Sequence, residues 1–270
     1  MFKFEKVNYS NHSHALLRLE EKKNVLQSLL VKIIFEYANK ISGTSSNEDL
    51  IELRNSISLR LESVFFHYNL LASINVSGEE IVTSRSLSPL VTDKIALQQD
   101  FLFDSIIFNT LSLFDYTSCL VKFVVESNKQ QKTLLWTDLA RAARGKDKFK
   151  NSSLASLKDT SLAKLIVELN NNWVFALGEY RAKLIHYNDD FVSNGLKYFP
   201  KDSKYISTIS APASLKKYFK EFKRDENLNA SINEVSLWVI ENSTGCVISL
   251  IRELISHLDV IRKIPVGKEI

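Results

Sequence analysis

The chain has 270 residues, a formal net charge of +4, and only seven glycines and four prolines, where average usage would place roughly 19 and 14. Its closest pair of glycines is Gly178 and Gly195, so it holds no glycine-rich phosphate loop, dinucleotide fingerprint or G-x-S-x-G elbow, each of which needs glycines within a few residues. All-β folds, which turn often and tightly, are disfavoured for the same reason, and an all-α helical bundle is expected, with long helices and one or two small β-hairpins.

Hydrophobic residues at 45% and charged residues at 24% exclude disorder over the whole chain. Cys119 and Cys246 are too few for a disulfide framework or a four-ligand zinc site. The first residues lack the apolar run of a signal peptide, and the most apolar stretch, 101–125, carries Asp104, Asp115 and Lys122. A cytoplasmic protein without a membrane span is therefore expected.

Helical spacing runs through 15–42 and 47–72, where Leu50, Leu53, Ile57, Leu61, Val64, Phe65 and Tyr68 recur at three and four. These read as an antiparallel pair, with Ser46 and Asp49 as an N-cap pair for the second helix. The β-branched and turn-forming residues around Gly78, within 73–90, suggest a hairpin. A long helix is expected from Thr92–Asp93 to about Glu126, apolar nearly all round and so central to a bundle. A short helix follows near Leu134–Arg144.

From Asp159 the stripe Leu162, Leu165, Leu169, Trp173, Ala176, Tyr180 and Leu184 predicts a second strong helix, capped by Asp159 or Thr160. A further hairpin is suggested within 191–212, a short basic helix at 213–224, and a last long helix from about Ser231 to Lys263, ended by Pro265. Gly78, Gly145, Gly195, Pro200 and Pro265 read as the chain's breaks. We divide the sequence into a helix pair with hairpin at 1–91 and a bundle at 92–270. Trp136, Trp173 and Trp238 read as core anchors.

Charge is uneven. Residues 141–224 hold 17 Lys+Arg and 8 Asp+Glu, a net of +9, leaving −5 of the whole-chain +4 for the rest. Taking in Asp225 and Glu226 lowers the window to +7. Such a region is either a solvated face or a surface for phosphates.

Inside it lies Glu179-Tyr-Arg181-Ala-Lys183-Leu-Ile-His186-Tyr187-Asn-Asp189-Asp. An arginine and a histidine in one site suit metal-free RNA cleavage. Histidine titrates near neutral pH and can take a proton from a ribose 2′-hydroxyl. Arginine offers a planar fork of donors to the charge that builds on the phosphate. Five positions on a straight helix are about 140° apart around the axis. Arg181 and His186 can therefore face one phosphate only if the helix ends or distorts near Ile185, or if two chains share the site. Arg60…His67 and Arg252…His257 have similar spacings but lie inside expected helices and read as ordinary helix residues. His12 and His14 are a weak metal pair. Asp104 and Asp115 share a helix face but lie roughly 16 Å apart along it, too far for a carboxylate dyad.

Arg181-Ala-Lys-Leu-Ile-His186-Tyr-Asn-Asp, with the preceding helix carrying Leu111-Ser-Leu-Phe-Asp115-Tyr, resembles the HEPN superfamily, over about residues 92–264. The resemblance implies an all-α, commonly dimeric domain, often a metal-independent endoribonuclease of toxin–antitoxin or other defence systems. Arg181 would bind the scissile phosphate and His186 would move the proton, with Lys183, Tyr187, Asp189 and Asp115 in support. No cofactor and no metal are implied. The implied partners are RNA, a second copy of the chain and an antitoxin or other operon partner. The position after the arginine, often Asn, Asp or His in the family, is Ala182 here, and inactive members exist. A non-catalytic helical interaction module is the alternative reading.

Overall fold

The first helical spacing forms α1, His12–Tyr37, which buries Leu19, Leu26, Leu30, Ile33 and Tyr37 on one side and ends in a π turn, Ala38–Ser42. This computed structural model describes residues 12–42, 47–83, 89–126, 134–145, 153–186, 194–199, 204–209, 212, 214–219 and 231–263. Next comes α2, Glu48–Thr83. Its cap is Asn47, whose Oδ1 accepts from the Leu50 N–H at 3.2 Å; the expected cap residue Ser46 lies outside the described residues. Glu48 and Asp49 sit in the first turn, where the helix dipole favours negative charge.

The hairpin expected within 73–90 is not formed. α2 continues through Gly78 to Thr83, because an established helix gains a hydrogen bond for each residue added and an internal glycine costs only about 1 kcal/mol. Strand-like composition does not outweigh that.

α3, Pro89–Glu126, begins on proline, which tolerates the first helical turn because its missing N–H has no partner there. It buries Phe103, Ile106, Ile107, Phe114, Leu120, Val121 and Val124. Its other side, from Asp104 to Lys122, is half-buried. The last helix, here α8, Ile232–Lys263, is the more fully enclosed, with residues 235–244 buried without a gap, while α3 packs against both α2 and α8. A capping box starts α8: Glu234 N–H donates to Ser231 Oγ at 3.3 Å, and Ser231 N–H donates to Glu234 Oε2 at 2.7 Å.

Between α3 and α8 the chain forms α4, Trp136–Ala143, a 3₁₀ turn Ser153–Leu157, and α5, Ser161–Leu169. Gly145, just past α4, takes the left-handed conformation (φ 69°) common after a helix C-terminus. Of the two expected caps for α5 it is Thr160 that acts, its Oγ1 accepting from Ala163 N–H at 3.1 Å. Asp159 holds φ 66° just before it. A π turn, Asn170–Val174, joins α5 to α6, Phe175–His186. Leu162, Leu169, Trp173 and Tyr180 are buried as expected, while Ile166 and Leu177 are buried in place of Leu165 and Ala176.

Asn194–Phe199 (β1) and Lys204–Ile209 (β2) pair antiparallel, with Tyr198 opposite Tyr205. Of the expected basic helix, Leu215–Tyr218 (α7) is formed. Counting α5, the π turn and α6 as one rod, six main helices make up the described all-α fold. One contiguous hydrophobic cluster draws on α1 through α8. At its centre Trp173, Phe219 and Trp238 stack in pairs with centroids 4.7 to 5.2 Å apart. No helix is long and apolar enough to cross a membrane, among the described residues.

Candidate functional site

Two of the residues singled out in the sequence meet where α6 packs on α3. Asp115 is half-buried on α3, and its Oδ1 accepts the Trp136 N–H at 2.9 Å, fixing the first turn of α4. Trp136 donates its Nε1–H to Asn170 Oδ1 at 3.1 Å, so Asp115, Trp136 and the π turn form one connected unit. Burial pushes the Asp115 carboxyl above its ordinary range, while the Trp136 N–H and the positive charge of Arg181 pull it back down.

Arg181, half-buried on α6, lays its guanidinium over the Phe108 ring, with Cζ 5.1 Å from the centroid. Its Nε is buried and makes no hydrogen bond among the described residues. The ion pairs of the described residues, such as Arg18–Glu241 and Arg141–Asp138, do not include it. It is a cation held against a ring and near a carboxylate, without a close counter-ion.

His186 is the last residue of α6, and what is described of it is its backbone. From Arg181 to His186 the helix is unbroken α, so the two positions remain about 140° apart. Lys183 is half-buried and falls on the flank opposite Arg181. Tyr187 and Asp189 lie outside the described residues. Ala182 is exposed.

Trp136, Trp173 and Trp238 are buried, and Trp173 also donates Nε1–H to Ser243 Oγ at 2.9 Å. Arg252 is exposed and His257 buried on α8. No cluster of three or more metal-ligating side chains occurs among the described residues. The sequence reading missed Phe108, whose part in the site depends on where α6 lands. Its one signal was position: Phe108 and Asp115 are seven apart, so they share a face of α3.

No family model, no curated protein and no solved structure matches this chain.

Proposed function

We propose that this chain is a HEPN-like protein that binds RNA phosphate through Arg181 and, as a homodimer, cleaves RNA without a metal ion. The observation that carries this reading is the seating of Arg181: a half-buried arginine, oriented by a ring, with a carboxylate close by and its charge not consumed by an ion pair. Such a group suits an incoming phosphate, which accepts from a guanidinium through two parallel hydrogen bonds.

In the proposed reaction His186 takes the proton of a ribose 2′-hydroxyl. The freed oxygen bonds to the adjacent phosphorus, and the 5′-oxygen leaves with a proton. The products are a 2′,3′-cyclic phosphate and a 5′-hydroxyl. Arg181 stabilises the charge on the non-bridging oxygens. The histidine serving one arginine comes from the second chain of the dimer. A defence role, with an antitoxin-like operon partner, is the biological setting of this reading.

The second reading, a non-catalytic helical module, is favoured by Ala182 and by the way Arg181, Phe108 and Asp115 already tie α6 to α3. RNA cleavage in EDTA separates the two. The first reading expects cyclic-phosphate products from wild type and a loss of about 100-fold or more in Arg181→Ala and in His186→Ala. Cleavage that persists in both variants rejects the site, and none from wild type leaves the second reading.

A further inference from the structure

Arg181 has a counterpart on the other side of α3. Arg60, on α2, places its guanidinium over the Tyr116 ring, with Cζ 5.6 Å from the centroid, and donates Nη1–H to Asn109 Oδ1 at 3.3 Å. Its Nε is also buried without a hydrogen bond, and it too is absent from the ion pairs of the described residues. Asn109 is oriented for this contact, since its Nδ2 donates to the Ser105 carbonyl at 2.8 Å and leaves Oδ1 to face the arginine.

The two arrangements are matched along the helix. Arg181 lies on the Phe108 ring with the charge of Asp115 near it; Asn109 and Tyr116 hold Arg60. Each pair is seven residues apart, so each forms one narrow strip, and the strips lie about 100° apart around α3. Ser112 falls between the strips and is half-buried. Ser112 Oγ donates back to the Phe108 carbonyl at 3.0 Å, which leaves its oxygen lone pairs outward. Two cations from different helices, neither in an ion pair among the described residues, thus lie on neighbouring strips of α3. An unpaired, partly desolvated arginine is unfavourable unless an anion completes it. Two of them on neighbouring strips suit two phosphates of one strand.

We infer that Arg60 is a second phosphate-binding residue, and that a single RNA strand crosses the outer ridge of α3 from Arg181 to Arg60. This rests on the RNA reading of Arg181. It gives α2, which lies outside the HEPN-like segment, a part in substrate binding, and it names the substrate as single-stranded over that stretch.

The test is fluorescence anisotropy of a labelled 12-nucleotide single-stranded RNA with the full chain across a salt series. Wild type, Arg60→Gln, Arg60→Lys and Arg181→Gln are compared, each checked for wild-type circular dichroism. Arg60→Gln is expected to weaken binding about 5- to 20-fold and to lower the slope of log K against log salt by about 0.7, the value for one phosphate on a single strand. Arg60→Lys should keep that slope while losing part of the affinity, because the charge stays and the planar fork goes. Arg60→Gln that binds and responds to salt as wild type does, while Arg181→Gln is weakened, overturns the role of Arg60 alone. An Arg181→Gln variant that binds like wild type overturns the reading of Arg181 instead. No salt-dependent binding by wild type overturns both.

Discussion

Two regions of this molecule hold arginines in opposite ways. At the α1–α8 contact, Arg18 Nε lies 3.1 Å from Oε1 of Glu241, whose side chain is only 4% exposed, and Lys22 Nζ reaches the Glu241 carbonyl at 3.4 Å. On the outer ridge of α3, Arg60 and Arg181 lie on aromatic rings with no ion-pair partner among the described residues. The first arginine is completed inside the chain and serves the fold. The other two are positioned but not completed, which is how a binding group differs from a structural one.

The sharpest way to break this contrast is to remove each arginine and measure stability. Arg18→Met leaves a buried carboxylate without its counter-ion and should lower the free energy of unfolding by about 2–3 kcal/mol in a denaturant titration. That is below the usual 3–5 for a buried pair because Arg18 is itself 36% exposed. Arg60→Gln and Arg181→Gln should each change it by less than about 1 kcal/mol, since ring contacts of partly exposed cations are weak. Equal losses at all three positions would erase the distinction between the regions.

The buried groups of α8 make a second comparison, this time in pH. Burial lowers the His257 pKa below its ordinary 6.5, with Glu253 opposing. Below pH 6.5 the unfolded chain binds a proton that the folded chain resists. Stability should thus fall as pH drops from 6.5 towards the folded value, with a slope of at most about 1.4 kcal/mol per pH unit, and be unaffected by this group above 6.5. Thermal melts of wild type and His257→Leu between pH 5 and 7 check it, and the slope should disappear in the variant.

The smallest effect is expected at Asp115. Its folded pKa is raised, so the folded chain holds a proton that the unfolded chain has released, and stability falls as pH climbs from the ordinary carboxylate value through the raised one. At neutral pH the ionised group is a net cost. Asp115→Asn keeps an acceptor for the Trp136 N–H and should raise the melting temperature slightly at pH 7, with no gain at pH 3. A carboxylate that costs stability yet sits beside Arg181 is better explained by the site than by the fold, and a melting temperature that falls in the Asn variant would contradict that.

Much of the architecture was legible in the chain. The stripes at 15–42 and 47–72 mark α1 and the start of α2, Pro89 and Glu126 bound α3 within a few residues of the expected limits, and Ser231–Glu234 announces α8. Local preference misled where neighbours decided the outcome. The residues around Gly78 look like a turn between strands but continue an existing helix. In α5 and α6 the buried face takes Ile166 and Leu177 in place of Leu165 and Ala176, and the bonds from Trp136 to Asn170 and from Trp173 to Ser243 leave no trace in an apolar repeat. In the candidate site, Arg181, His186 and Asp115 could be named from the motif. Phe108, Asn109, Tyr116 and Arg60 could not, since nothing in the order of residues says which helices flank α3.

By itself, the sequence determined the class of protein: scarce glycine and proline, and apolar residues at three and four, leave long helices as the way to bury this much apolar surface. It also determined that an arginine and a histidine lie five positions apart on one helix. Tertiary structure decided how fully each helix is enclosed: α8 buries its polar run Glu241–Thr244, with Glu241 on Arg18 and Ser243 accepting from Trp173. It also decided which arginines are completed. That depends on whether a carboxylate from a distant part of the chain arrives within reach, and only packing brings Glu241 to Arg18 while bringing rings to Arg60 and Arg181.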